Sequence, residues 1–362
     1  MRRRFTCHNL RLAIDLILRQ ARNRLSVAAE TGLCYTMAMV FAILRFAKHP
    51  LVSLALFAGV MLVSAACATL QASPKYQEGQ IINVAQNTVL SMADLRPVLR
   101  EADVIYIGET HYTPSHLDAA IQVLQIILDE GRTPILGMEM FSWDGQPGID
   151  RYLNGEITAV EQFLTESHWK DNWGGKYEDY SPLVDFAKTH QFRLLGLNPP
   201  RSFVRKVAQK GLTGIGADPV LQQWNVPDPF PADDPEYRQV IYEQIEKCHG
   251  GMKPEVYQKI YEASVFRDEG MASVIATMFK KGTDRPQTVV SYTGAGHIQY
   301  GLPIPKRVQR QLGGTVKQVT LYLHALDPDH PEDVDQLLGE PIADFVWLTA
   351  LGPHGRQPRC GE

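Results

Sequence analysis

Cysteine is scarce in this chain, and the cysteines that it has lie far apart. Five occur in 362 residues, and none of them forms the closely spaced pairs that bind structural zinc. Cys7, Cys34 and Cys67 lie near the N-terminus, which leaves Cys248 and Cys360 in the body of the chain. Two distant cysteines make no disulfide framework, and the sequence leaves open whether they pair. The fold must therefore rest on an apolar core, for which a hydrophobic content of 44% is ample.

Basic charge is also missing from most of the chain. Residues 1–66 contain nine arginines and lysines against two acidic residues, a net charge of +7, whereas the whole chain carries −4. The remaining residues therefore carry −11. A body this acidic repels phosphate backbones, which argues against nucleic acid as a partner. The chain also lacks an internal repeat of the length found in solenoid proteins.

Long hydrophobic runs are absent except for one near the N-terminus. Leu51–Ala66 is apolar or small throughout, and Arg45 and Lys48 stand just before it. A basic region, a short apolar run and small residues at its end are typical of a secretory signal. Cys67 follows directly and resembles the cysteine of a lipobox, to which a diacylglyceryl group is attached, although Ser64 stands where leucine is usual. We expect cleavage before Cys67 and a lipid-anchored protein, with an ordinary signal peptide or an uncleaved anchor as the alternatives.

The residues before this signal are unusual, because signal peptides rarely begin so far upstream. Met37 or Met39 would give a conventional start, so a mis-assigned start codon is one explanation, and a real amphipathic extension is the other. The sequence thus divides into a leader (1–66), a lipidated polar tether (67–80), a main domain (81–350) and a tail (351–362).

The main domain repeats a short apolar run, a polar turn and a segment of helical periodicity. The predicted strands are Asp103–Ile107, Pro134–Met140, Phe192–Leu197, Thr288–Tyr292, Val319–Leu323 and Ile342–Leu348. Strands that alternate with helices imply a mostly parallel sheet with helices on both faces, so we predict an α/β fold. Residues 218–281 interrupt the pattern with a proline-rich stretch and two helical segments, which we expect to form a helical insertion packed over one end of the sheet.

Polar side chains mark the ends of four predicted strands. Glu109 and His111 follow the first strand, Glu139 lies at the end of the second, Asn198 follows the third and His297 follows the fourth. Ligands of open parallel sheets bind outside the carboxyl ends of the strands. The convergence of these residues therefore predicts a binding or catalytic site.

Two further features lie next to these strand ends. His116 falls in the first turn of the following helix, where it either reaches the same cleft or is an ordinary first-turn histidine. Gly294-Ala295-Gly296-His297 lacks the third glycine of a dinucleotide fingerprint, so we do not expect a dinucleotide cofactor.

Taken in order, several short motifs resemble those of the ChaN-like haem-binding, iron-regulated lipoproteins. The motifs are Ile107-Gly108-Glu109-Thr110-His111, Gly137-Met138-Glu139-Met140-Phe141, Tyr180-Ser181-Pro182-Leu183, Leu197-Asn198-Pro199-Pro200-Arg201 and Gly294-Ala295-Gly296-His297. The ordered set is specific, whereas each motif alone is weak. The resemblance implies an α/β fold, haem as ligand in iron uptake, and an outer-membrane lipoprotein that faces the periplasm. It also implies a homodimer that brings two haems together, an outer-membrane haem or iron receptor as partner, and a tyrosine as axial iron ligand.

Tyr180 matches the tyrosine-before-proline position of that family, and Tyr177 and Tyr300 are the other candidates. The aromatic stretch from Trp169 to Tyr177 could lie against a porphyrin, although such residues more often serve packing. A phenolate is a hard anionic donor that suits ferric iron. Because the sequence has no CxxCH, any haem would be bound non-covalently. The resulting haem-site candidates, in a binding protein rather than an enzyme, are Tyr180, Tyr177, Glu109, His111, His116, Glu139, Asn198 and His297.

The GExH and GxGH elements also look like those of the Tiki, TraB and erythromycin-esterase-like relatives, where they imply metal binding or hydrolysis. Glu109, His111, Glu139 and His297 would supply two carboxylates and two imidazoles, a donor set that suits Zn²⁺ or Mn²⁺. Glu109 and His297 would then be the catalytic residues. A metal-dependent hydrolase is thus the alternative function, and a structural surface lipoprotein is a third.

Overall fold

The computed structural model describes residues 74–215, 221, 234–280, 287–353, 355 and 356. The predicted leader, Cys67, Cys360, and most of the tether and of the proline-rich stretch lie outside these residues. Within the described part, no helix combines the length and the apolar character needed to cross a membrane.

An eight-stranded sheet forms the centre of the domain. Its strands are β1 (Ile81–Asn83), β2 (Thr88–Leu90), β3 (Val104–Glu109), β4 (Thr133–Ser142), β5 (Arg193–Asn198), β6 (Gln287–Gly294), β7 (Gln318–Ala325) and β8 (Phe345–Thr349). They lie in the order β2-β1-β8-β7-β3-β6-β4-β5. All neighbours from β8 to β5 are parallel, and only β1, near one edge, runs antiparallel to its two neighbours, β2 and β8. The prediction of a mostly parallel α/β fold is confirmed.

Helices connect the strands and cover the sheet. They are α1 (Met92–Glu101), α2 (Pro114–Asp129), α3 (Gln146–Leu153), α4 (Val160–Glu166), α5 (Trp169–Asn172), α6 (Ser181–Thr189), α7 (Arg201–Lys210), α8 (Pro235–His249), α9 (Pro254–Lys280), α10 (Ile304–Gln311) and α11 (Glu332–Leu338). Local sequence sets their ends: α1 begins at a capping box, in which Ser91 and Asp94 bond to each other's backbone N–H groups.

The two faces of the sheet bury different sets of side chains, because successive residues of a strand point in opposite directions. Ile105 and Ile107 of β3 pack with apolar residues of α1, α2 and α6 on one face. Val104 and Tyr106 of the same strand pack with α9 and α10 on the other. The sheet is therefore covered by helices on both sides, as its continuous apolar strands predict.

The segment that the sequence predicts as a helical insertion, residues 218–281, contains α8 and α9. Tyr237 and Ile241 of α8 form a separate apolar cluster with Tyr261, in the first half of α9. The second half of α9 instead lies on the sheet, where Met271 and Ile275 join the cluster around β3. At 27 residues, α9 is roughly 40 Å long, enough to serve both as insertion and as a covering helix.

Candidate functional site

Two buried glutamates lie at the carboxyl edge of the sheet, on either side of β6. Glu109, the last residue of β3, is opposite Gly294, the last residue of β6. Glu139 comes from β4 on the other side, and its Oε2 accepts a hydrogen bond of 2.7 Å from the Gly294 N–H. Each glutamate is only 2% exposed. The parallel register therefore brings two carboxylates close to one strand end.

Glu109 organises the first half of the site. Its Oε1 lies 2.6 Å from Nδ1 of His111 and accepts a bond of 3.2 Å from the Tyr180 hydroxyl, while Oε2 accepts one of 2.9 Å from Tyr292. Burial alone would lower the pKa of His111, but the hydrogen bond to Glu109 and the charges of Glu139 and Glu109 raise it. A carboxylate that holds one imidazole nitrogen in this way fixes the ring and leaves the other nitrogen for a ligand.

Glu139 organises the second half, with partners from α9 and from the turn after β6. Its Oε1 bonds to the Arg267 guanidinium and lies 3.3 Å from Nε2 of His297. Nδ1 of His297 lies 2.6 Å from Asp268, which also accepts a hydrogen bond from Tyr237. These contacts form a chain of alternating charges beneath the site, in the order Arg267, Glu139, His297, Asp268.

Glu139 and His297 hold each other ionised. Burial would by itself raise the pKa of Glu139, but His297 and Arg267 hold it well below its usual range. Burial would lower the pKa of His297, yet Glu139 and Asp268 outweigh both that effect and the opposing charge of Arg267, and raise it to about 9. His297 is therefore an imidazolium at neutral pH.

Asn198, at the end of β5, links the two elements that carry this pair. Its amide nitrogen donates to the backbone carbonyl of Glu139 at 3.2 Å, and its oxygen accepts from Nε of Arg267 at 3.3 Å. The side chain is fully engaged with the protein, so it positions Arg267 and the β4 backbone.

Three partly exposed rings, His111, Tyr112 and Trp173, form an aromatic face over this edge of the sheet. The His111 and Trp173 ring centroids are 4.9 Å apart, and Tyr112 lies 6.2 Å from His111 and 6.4 Å from Trp173. Tyr180 lies directly beneath, 5.9 Å from Tyr112 and 5.8 Å from Trp173. A planar ligand can pack on such a face through offset or edge-to-face contacts.

Tyr180 reaches the site but is fully buried in it. Its hydroxyl donates to Glu109 and accepts a hydrogen bond of 3.3 Å from the Tyr112 N–H. Burial and the charge of Glu109 raise the pKa of Tyr180 above its usual value, so the phenol is neutral in this arrangement. Ligation by Tyr180 stays a prediction, and it requires that Tyr112 uncover the hydroxyl.

The other candidates lie apart from the aromatic face. Tyr177 is buried among core rings, with Phe163 and Trp169 at 5.7 Å and 5.5 Å. His116 is fully buried, and its Nδ1 accepts the Thr110 N–H at 3.0 Å, so it supports the loop after β3. Burial lowers the pKa of His116 to about 3, which keeps the ring neutral.

Tyr300 lies on a different part of the molecule. It has a left-handed backbone conformation, with φ of 59°, and lines a cavity of about 1110 Å³. Residues of α10 and the first part of β7 form the walls of that cavity, among them Lys306, Gln318 and Thr320. None of the strand-end residues Glu109, Glu139 and His297 borders it.

Sequence reasoning missed several residues of the site. Arg267 and Asp268 lie in the middle of α9, more than 120 positions from Glu139. Their signal was the unbroken charged triplet Arg267-Asp268-Glu269 inside an otherwise apolar stretch of a helix. Tyr292 was recognised only as a strand residue, and Tyr112 not at all.

The arrangement does not favour the Zn²⁺ or Mn²⁺ alternative. Among the described residues, no three or more histidine, cysteine, aspartate or glutamate side chains are grouped so as to hold a metal ion. Glu109 is bonded to His111, and Glu139 to Arg267 and His297. Each of the four residues of the proposed metal site therefore already has a partner within the protein.

The donor set fits haem better. Imidazole and phenol groups are axial ligands of haem iron in proteins, and His111 and Tyr112 both present such groups at the surface. Trp173 adds a buried indole Nε1 that has no hydrogen-bond partner among the described residues. A Cβ at Gly294 would lie 3.1 Å from Nε2 of His111, so the glycine keeps the space beside that nitrogen clear.

Comparison with known proteins agrees with this chemistry. A family model described as haem-binding uptake, Tiki superfamily, ChaN matches residues 96–308, which is more than half of the chain. The solved structure of ChaN of Campylobacter jejuni, reported with cofacial haem binding, is 19% identical and has a TM-score of 0.56, covering 75% of this chain and 97% of that one. That likeness shows the fold.

Other solved structures are more distant. Erythromycin esterase EreC is 12% identical with a TM-score of 0.37, covering 68% of this chain and 76% of its own. The C-terminal region of Pasteurella multocida toxin is 13% identical with a TM-score of 0.37, covering 65% and 25%. Likeness below a TM-score of 0.5 supports no inference about function. No curated protein sequence matches the chain significantly.

Proposed function

This chain belongs to the ChaN family of haem-binding uptake proteins in the Tiki superfamily, and from that premise we propose that it captures ferric haem at the carboxyl edge of its sheet. The observation that carries the proposal is the aromatic face of His111, Tyr112 and Trp173, with the phenol of Tyr180 directly beneath it. It offers aromatic edges and faces for packing, together with the oxygen and nitrogen donors that ferric haem accepts.

The residues of the site have different proposed roles in haem capture. Bound haem would supply a ferric ion that accepts an anionic oxygen donor. We propose that the Tyr180 hydroxyl would be that donor and that Glu109, already hydrogen-bonded to it, would hold the proton that the phenol releases. Tyr292 and His111 hold the carboxylate of Glu109 in place. Arg267 and Asn198 fix the neighbouring Glu139, and Arg267 adds a partly exposed cation at the edge of the site.

The first prediction concerns the iron ligand. The full-length chain in detergent should give a new Soret band on titration with ferric haem, saturating at micromolar concentrations. Tyr180→Phe should shift that band and weaken binding by about tenfold or more, since the variant loses the oxygen ligand of the iron. Tyr177→Phe is the matched control, because Tyr177 is a buried tyrosine three positions away that packs among core rings. Absorption titrations of the three proteins, with empty micelles as blank, measure the effect.

Two outcomes would change the proposal. A wild-type chain that gives no spectral change at micromolar haem would rule out haem capture. Wild-type spectra from Tyr180→Phe would leave haem capture standing and move the iron ligand to another residue, with His111 and Tyr112 of the aromatic face as the candidates.

We further propose that the protein works at the cell envelope, anchored to the outer membrane by a lipid on Cys67 and facing the periplasm. The support lies in the sequence, with its charge-free run before Cys67 and the polar tether after it. The tether reaches the domain at α11, where Lys75 and Tyr76 both bond to Asp335. Iron uptake, a homodimer that brings two haems together and a haem or iron receptor as partner are proposed from the family likeness.

The second prediction concerns this anchor. Cys67→Ala removes the thiol that would carry the lipid, so the protein should move from the detergent phase to the aqueous phase or remain uncleaved. Phase partition and intact mass measure the change, with Cys248→Ala as the control that should stay membrane-bound. A native protein whose mass shows an unmodified N-terminus at or after Ala68 would contradict the lipid anchor.

A further inference from the structure

Tyr112 occupies a position that is costly in two ways. Its φ of 63° lies in the left-handed region, where the Cβ of a residue other than glycine comes too close to the carbonyl oxygen that follows. Its side chain is also 38% exposed, among the few large hydrophobic side chains of the described residues that face solvent. Surrounding contacts must hold the residue there, and strained residues held by their surroundings concentrate at ligand clamps and switches.

Two buried polar groups lie beside Tyr112. The Tyr180 hydroxyl is fully buried beneath it and accepts its backbone N–H at 3.3 Å. The indole Nε1 of Trp173 is also buried nearby, and within the described part of the chain it has no hydrogen-bond partner. A buried donor without an acceptor is destabilising, because it has lost its hydrogen bonds to water.

Gly175 is what allows Tyr112 to lie so close. A Cβ at this position would lie 2.8 Å from the Tyr112 hydroxyl oxygen and 2.9 Å from Nε1 of Trp173. Both atoms therefore approach the bare backbone of the glycine, and a methyl group there would push one of them away. Gly175 does not have a left-handed φ, so alanine would fit its backbone.

We propose that Tyr112 is a lid over a ligand subsite made of the Tyr180 hydroxyl and the Trp173 indole N–H. The inference rests on the proposed function. With the lid closed, the phenol is bonded to Glu109 and the N–H is unsatisfied. With the lid swung out, the phenol is accessible to the haem iron, and the indole N–H can donate to an oxygen of the ligand, such as a carboxylate. Opening would release the Tyr112 N–H from the Tyr180 hydroxyl, and it would let the backbone leave the left-handed region.

Stopped-flow mixing with ferric haem tests the lid with three variants. Tyr112→Gly removes the ring and tolerates the positive φ, and Gly175→Ala displaces the intact Tyr112. Both should bind haem faster, on the order of tenfold, because a larger fraction of the protein is open. Lys317→Met changes an exposed side chain outside the site, so it should bind haem at the wild-type rate. Binding of Tyr112→Gly and Gly175→Ala at or below the wild-type rate would overturn the lid.

A second readout needs no haem. Hydrogen exchange of the Trp173 indole N–H, followed by NMR, should be faster in Tyr112→Gly and Gly175→Ala than in the wild type; unchanged exchange in both variants overturns the lid. If Tyr112→Phe abolishes the Soret change, Tyr112 is itself the iron ligand and the lid is wrong. If the wild-type chain binds no haem, the proposed function fails, and the exchange rates decide the lid alone.

Discussion

Replacing Arg267 with methionine is expected to lower the free energy of unfolding by about 3 kcal/mol. The guanidinium is the partner of Glu139, a carboxylate that is only 2% exposed. Removing one partner of a buried ion pair costs about 3–5 kcal/mol, since it leaves the other charge desolvated. We take the lower end because His297 and the Gly294 N–H still contact Glu139. Urea unfolding followed by circular dichroism measures the difference.

Two further variants show whether the loss comes from the buried charge. Lys317→Met removes a cation from an exposed pair with Glu101 and should cost less than about 1 kcal/mol. Glu139→Gln combined with Arg267→Met removes both charges. The double variant should therefore lose less free energy of unfolding than Glu139→Gln alone and Arg267→Met alone lose together. Strict additivity would mean that Arg267 stabilises the domain by packing alone.

The sequence is informative about this fold wherever the signal is local. β3, β4 and β6 are continuous apolar runs closed by polar residues, so their positions could be predicted to within two residues. β1 and β2 were missed because strands of three residues carry no periodicity. The order of the strands could not be predicted either, since β3 pairs with β6 and β7, which follow it by about 180 residues or more.

The residues of the site also divide into those that have a local sequence signal and those that do not. Glu109, Glu139 and His297 follow strands, and the rule that strand ends meet at one edge was enough to group them. Arg267 and Asp268 lie on a helix, where a charged residue is by default assigned to a solvated face. Only the tertiary contacts of α9 with β5 and α10 show that this face is buried. The burial of Tyr180 beneath Tyr112 likewise could not be predicted from the sequence, because no local sequence pattern indicates how a loop packs.

Stability should also fall as the pH rises from about 6.5 to about 9, because His297 is held as an imidazolium. Its pKa is raised to about 9, against 6.5 for an ordinary histidine. A raised pKa in the folded state contributes stability that is complete below pH 6.5 and is lost as the pH passes through 9. A difference of this size corresponds to ~3 kcal/mol at most. Urea unfolding at pH 6, 7, 8 and 9 should trace the decline.

The decline can be assigned to His297 with two substitutions. His297→Gln keeps a hydrogen-bonding side chain without the titrating charge, so its stability should be lower at pH 6 and should change much less between pH 6 and 9. His111→Gln removes a more exposed histidine. Burial lowers the pKa of His111, but its hydrogen bond to Glu109 and the neighbouring carboxylate charges raise it above its usual value. The His111→Gln variant should retain most of the wild-type slope. If His297→Gln kept the full slope and His111→Gln lost it, the imidazolium that stabilises the site would be His111, and Asp268 would lie beside a neutral ring.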